Sequence, residues 1–116
     1  MKFFVYGKLK SDQEKAWMIP FSISAPYILL GYRMYLRPTG TAGMKVGKFR
    51  KDAVYGQMRT VKWAFWPLNW LLLWFLDLNE GVPWGVYKRI KVGDMWTYVF
   101  NKPTKGYKVI KTWPVN

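Results

Sequence analysis

Lys2-Phe3-Phe4-Val5-Tyr6 is apolar and rich in β-formers, and Gly7 stops it, which predicts a short buried strand ending in a loop. Ser11 and Glu14 stand three apart in the form of a capping box, so a short helix is expected over residues 12–18, closed by Pro20. Residues 27–36 read as one strand, with Tyr32, Met34 and Leu36 alternating against Arg33, Tyr35 and Arg37 before Pro38-Thr39-Gly40 turns the chain. Residues 44–49 alternate poorly. Residues 53–61 form a convincing strand, and a hairpin joined near Lys51-Asp52 is expected between the two.

Pro67 suits a first helical turn, and Leu68, Leu71, Leu72, Phe75 and Leu76 follow at three-to-four spacing. The pattern predicts an amphipathic to fully buried helix that closes near Asn79, with Gly81 and Pro83 as terminators. The apolar run from Trp63 to Leu76 is broken by Pro67 and Asn69 and falls short of the roughly 18 residues a membrane span needs. An alternative is a helix lying on a membrane surface, which Trp63, Trp66, Trp70 and Trp74 would suit, although the flanks are not strongly basic. At the N-terminus the apolar stretch before Gly7 and Lys8 is too short for a signal-peptide core.

Residues 87–92 and 95–100 then alternate as two strands across Gly93-Asp94, and residues 107–113 can add an edge strand. The order of elements predicts one α+β domain over residues 1–116, a curled mixed sheet or small barrel with two main helices. Glycines at strand positions, Gly31 and Gly56, suit strong curvature.

Composition narrows the chemistry. The 116 residues contain no His and no Cys, which excludes disulfides, Cys nucleophiles, His-based triads and zinc or haem sites built on those ligands. Carboxylate, Lys or Tyr acid–base work remains, or a Ser or Thr nucleophile without imidazole help. With six carboxylates in the chain, each position counts. Absence of Cys is compatible with a reducing, cytoplasmic setting.

The formal net charge of +13, together with eight Trp, eight Tyr and seven Phe, also suits a binder of single-stranded nucleic acid. Lys102, Lys105, Lys108 and Lys111, interleaved with Tyr107 and Trp113, form the best candidate surface, and Lys45, Lys48, Arg50 and Lys51 a second. A solvated cationic surface explains the same residues, and no aromatic RNA-binding signature is present.

Glu80 closes the most hydrophobic segment, between an apolar helix and a Pro-Trp loop. Partial desolvation there would raise its pKa and fit it for general-base work near neutrality. A solvated polar residue at a helix end is the simpler reading, although negative charge there opposes the helix dipole. Gly7, directly after the first strand, can present backbone N–H groups to an anion, or it is a turn residue only.

The chain resembles the gamma-glutamylcyclotransferase-like family from Phe3 to about Phe100. Phe4-Val5-Tyr6-Gly7-Lys8-Leu9 looks like its opening strand and Tyr-Gly-x-Leu loop. Gly31-Tyr32-Arg33-Met34-Tyr35 looks like its Gly-Tyr strand, and Val54-Tyr55-Gly56-Gln57-Met58 like its Val-x-Gly-Glu strand, with Gln57 in place of Glu. Leu76-Asp77-Leu78-Asn79-Glu80-Gly81 looks like the Leu-Asp-x-x-Glu-Gly signature, followed by Tyr87, Arg89 and Tyr98-Val99-Phe100. Relatives commonly carry Thr or Ser where this chain has Lys8.

The resemblance implies a barrel-like α+β fold and release of 5-oxoproline from gamma-glutamyl amines or gamma-glutamyl amino acids, with no metal or cofactor. It implies Glu80 as the acid–base residue, residues Tyr6, Gly7, Lys8 and Leu9 as the holders of the substrate α-carboxylate, and Tyr87 in the same pocket. A family member that binds a ligand without turning it over is the alternative.

Overall fold

A computed structural model of the chain describes residues 1–7, 10, 13, 19, 22–47, 52–61, 66–111 and 113. Apart from Gln13, the expected helix over residues 12–18 lies outside the described residues. Ten elements follow in order: β1 (Lys2–Val5), β2 (Ser22–Leu30), β3 (Tyr32–Leu36), β4 (Ala42–Val46), β5 (Ala53–Val61), α1 (Trp66–Asn79), a 3-10 turn (Val82–Trp84), β6 (Tyr87–Val92), β7 (Met95–Phe100) and β8 (Lys108–Ile110). They build a five-stranded sheet in the order β2-β5-β1-β7-β6 and a three-stranded sheet in the order β4-β3-β8. The larger sheet is mixed, because β1 pairs antiparallel with β5 but parallel with β7. The α+β class with a mixed sheet is therefore the observed one.

The apolar run that follows Lys2 in β1 has a direct cause. Successive strand side chains point to opposite faces. Phe3 and Val5 enter one core with Leu72, Leu73 and Leu76 of α1, whereas Phe4 and Tyr6 enter a second with Met34 and Met44 of the small sheet. From Phe3 onward β1 is central and covered on both sides, so the one polar residue in it is Lys2 at its outer end, paired with Asp94 at 3.1 Å.

Three local expectations are corrected. Residues 27–36 are not one strand: Gly31 adopts φ 82°, which L side chains rarely do, and there the chain leaves β2 in the large sheet for β3 in the small one. β4 and β5 do not form the expected hairpin. β4 pairs with β3 across the Pro38-Thr39-Gly40 turn, and β5 pairs with β2 and β1. Finally, α1 is not buried all round. Leu72, Leu73 and Leu76 face the core, while Trp70, Leu71 and Trp74 are about 60% exposed and Phe75 is 40% exposed. An apolar spacing of three and four marks a stripe only where polar residues flank it, and here the outer positions are apolar as well. No described helix is long and apolar enough to cross a membrane.

The hairpin of β6 and β7 has the expected register, Val92 opposite Met95 around Gly93-Asp94. The C-terminal edge strand is shorter than expected, limited to β8 on β3. Gly56 does sit at a tight point of the sheet. A Cβ there would stand 2.4 Å from the Val5 carbonyl oxygen and 2.9 Å from the Phe4 ring, so the β1–β5 pairing at the end of β1 admits only glycine.

Candidate functional site

β1 delivers Tyr6 and Gly7 to the end of the large sheet. The Tyr6 hydroxyl donates to the Tyr98 carbonyl at 2.7 Å, which ties the start of the loop to β7. Gly7 is not in the left-handed region, and among the described residues nothing lies within 4 Å of where its Cβ would be. The described surroundings do not demand a glycine. A glycine that neither conformation nor packing requires, next to open space, leaves its backbone approachable.

α1 delivers the carboxylate. The Glu80 N–H donates to the Leu76 carbonyl at 2.9 Å, the last helical bond, and Gly81 then turns the chain in the left-handed region at φ 72°. The Val86 N–H donates back to the Gly81 carbonyl at 3.2 Å, so the exit from the helix is fixed and runs into β6 at Tyr87. One turn before Glu80, Asp77 accepts from the Tyr98 hydroxyl at 2.7 Å and pairs with Arg89 at 3.3 Å. This cation offsets the unfavourable placement of Asp77 at a helix C-terminus.

These segments close on a cavity of about 280 Å³. Tyr6, Gly7, Glu80 and Tyr87, far apart in the chain, all line it, so the structure brings four of the six expected site residues together. Lys8 and Leu9 lie outside the described residues. Arg37, Thr41 and Tyr98 line it too, and none of these was expected as a site residue. Tyr98 carried a signal, as part of the Tyr-Val-Phe strand. Arg37 carried none, because alternation along β3 places it on the polar face with Arg33 and says nothing about what folds over that face.

Burial pushes the Tyr6 phenol well up, and Tyr87 and the Glu80 carboxylate push the same way. Burial also raises Tyr87, with Arg37 pulling down and Glu80 pushing up. Tyr98 is raised by burial, then by its bond to Asp77, and further by Glu80. Glu80 thus acts on all three phenols, and all three keep their protons at neutral pH. The acidic and basic side chains on the described lining are those of Glu80 and Arg37. A positioned carboxylate can move a proton; the three phenol protons are committed, to the Tyr98 and Ala42 carbonyls and to Asp77, so the phenols shape the cavity without donating into it. Among the described residues no three acidic, His or Cys side chains gather as a metal site.

The chain has the fold of an AIG2-like protein. That protein, from Mus musculus, aligns with a TM-score of 0.60 over 97% of this chain and 86% of its own, at 17% identity. An uncharacterized protein from Pyrococcus horikoshii aligns with a TM-score of 0.69 over 96% of this chain and 86% of its own, at 16% identity. No family model and no curated protein matches the sequence. At such identities the likeness establishes the fold alone.

The candidate nucleic-acid surface looks different in three dimensions. Lys102, Lys105, Lys108 and Lys111 are exposed, but the aromatic residues between them are turned inward. Tyr107 packs on Phe100 with ring centroids 6.2 Å apart, and Trp113 packs on the second core and donates from Nε1 to the Gly40 carbonyl at 2.8 Å. Aromatics committed in this way are not a stacking platform for bases. In the second cluster, Lys48, Arg50 and Lys51 lie outside the described residues.

Proposed function

We propose that the protein is a cyclotransferase that releases 5-oxoproline from a gamma-glutamyl amide. The observation that carries this reading is the meeting of Glu80, Tyr6, Gly7 and Tyr87, each from its own segment, around one cavity in a fold shared with an AIG2-like protein. The reaction needs little else. The substrate α-amine attacks the γ-carbonyl carbon, the new C–N bond closes a five-membered lactam, and the bond to the departing amine breaks. The proton lost by the attacking nitrogen is the one the departing nitrogen needs, so a single carboxylate that accepts and returns it balances the step. Glu80 has that role. Ring closure is intramolecular, so a cavity that holds the glutamyl chain curled lowers the barrier by positioning.

Gly7 presents open backbone next to the cavity, suited to the glutamyl α-carboxylate on main-chain N–H groups, with Lys8 and Leu9 completing the loop. The neutral Tyr87 hydroxyl helps to shape the pocket. Its own proton goes to the Ala42 carbonyl at 2.6 Å, which fixes the ring.

The test is turnover of a panel of gamma-glutamyl dipeptides and gamma-glutamyl amines by wild-type protein and by Glu80→Gln, with 5-oxoproline as the readout. Glu80→Gln keeps size and polarity but cannot accept the proton, and a loss on the order of 10²-fold or more in kcat is expected with an unchanged melting temperature. Near wild-type kcat in Glu80→Gln would remove Glu80 from the mechanism.

A further inference from the structure

Arg37 is the cation on the described lining of the cavity, and it is held in an unusual way. Arg33 and Arg89 face carboxylates, Asp52 at 3.0 Å and Asp77 at 3.3 Å. Arg37 faces no carboxylate among the described residues. Its Nη1 donates to two neutral hydroxyls, Tyr87 at 3.2 Å and Thr41 at 3.4 Å. Its guanidinium lies 4.8 Å from the ring centre of Phe100 and 5.5 Å from that of Tyr87. These contacts position a half-buried charge without neutralising it, and they engage one nitrogen of the fork. The complement of such a group is a planar anion that takes two parallel N–H bonds, a carboxylate above all.

We infer that Arg37 anchors a carboxylate on the departing half of the substrate, so that the site selects gamma-glutamyl amino acids over gamma-glutamyl amines. The inference rests on the cyclotransferase reading. In that reading the main chain at Gly7 takes the glutamyl α-carboxylate, and Glu80 serves the attacking and departing nitrogens. The fixed cation on the same wall then has one anionic group left to meet, the carboxylate of the departing amino acid. A gamma-glutamyl amine does not have it. Arg37 and Glu80 both act electrostatically on Tyr6 and Tyr87, so the anchor and the base are within reach of one small ligand.

The experiment compares gamma-glutamylalanine with gamma-glutamylethylamide, which differ only by that carboxylate. In wild-type protein the alanine derivative is the better substrate. Arg37→Gln raises its KM about 10- to 100-fold, the scale of a lost charge-assisted hydrogen-bond pair, and leaves its kcat and both constants for the ethylamide within about twofold. Arg37→Lys, which keeps the charge and loses the fork, falls between. Equal losses on the two substrates would overturn the inference, because Arg37 would then hold the glutamyl carboxylate or merely support Tyr87.

Calorimetric titration of both compounds into Glu80→Gln protein, with and without Arg37→Gln, separates this from the reaction itself. Binding without turnover in the wild type refutes the cyclotransferase reading, yet a loss of affinity confined to the alanine derivative still upholds the anchor. Absent binding, or equal losses of affinity, refutes it.

Discussion

Two glycine-to-alanine substitutions near the end of β1, one in the loop that follows it and one on the neighbouring β5, make opposite demands on the protein, and the difference can be worked from distances. At Gly7 a methyl group meets nothing described within 4 Å, and the backbone is outside the left-handed region. Alanine there restricts the unfolded chain without straining the folded one, worth about 0.4–1 kcal/mol of added stability. At Gly56 the same methyl stands 2.4 Å from the Val5 carbonyl oxygen and 2.9 Å from the Phe4 ring. Overpacking of this kind costs about 1–3 kcal/mol.

For a chain of this size, with about 4 °C per kcal/mol, Gly7→Ala should melt up to about 4 °C higher and Gly56→Ala about 4–12 °C lower. Activity should follow a different order. On the proposed reading a methyl group at Gly7 stands where the substrate carboxylate approaches the main chain, and a displacement of about 1 Å from productive geometry costs on the order of 10²-fold in rate. Melting curves and kcat/KM for whichever gamma-glutamyl substrate turns over decide the matter. Wild-type kcat/KM in Gly7→Ala, or a melting point depressed as far as that of Gly56→Ala, would show that Gly7 is a structural residue and not a ligand-facing one.

The phenol of Tyr98 holds its proton above the ordinary value of 10.0 because it is buried and bonded to Asp77. The folded state therefore binds that proton more tightly than the unfolded state, and the stability this contributes is complete below about pH 10 and is lost as the pH rises beyond it. Urea midpoints of Tyr98→Phe should be lower than wild type at pH 7, by about 1.5–3 kcal/mol for the lost bond to a carboxylate, and should decline less steeply toward about pH 11; a parallel decline would contradict the assignment. Leu76→Ala, at a fully buried position, should cost about 2–5 kcal/mol, and Leu71→Ala, at 60% exposure, about 0.5 kcal/mol or less; equal costs would reverse the orientation of α1. Any binding of oligonucleotides should be indifferent to sequence and weaken steeply between 50 and 200 mM salt, since it draws on dispersed lysines; salt-resistant binding abolished by Tyr107→Ala would show that the inward packing of that ring does not persist.

What the linear sequence determined is local. The apolar run of β1, the pattern that marks α1 from Pro67 to Gly81, and the two-residue turn between β6 and β7 depend on neighbours within a few positions, and such rules are read directly. Glu80 and Gly7 were legible for the same reason, as a carboxylate closing an apolar segment and a glycine closing a strand. Partner choice between strands was not. Tyr32 to Leu36 alternates in the same way whichever sheet it joins, and only the turn at Gly31 assigns it to the sheet with β4 and β8. The exposed side of α1 was hidden because its outer positions are as apolar as its inner ones, so composition could not mark which side the core would take. The cavity itself is wholly tertiary. Arg37 reads as one more outward cation on a strand, and it becomes a half-buried guanidinium on a cavity wall because Tyr87 and Phe100, more than forty positions away in the chain, are folded against it.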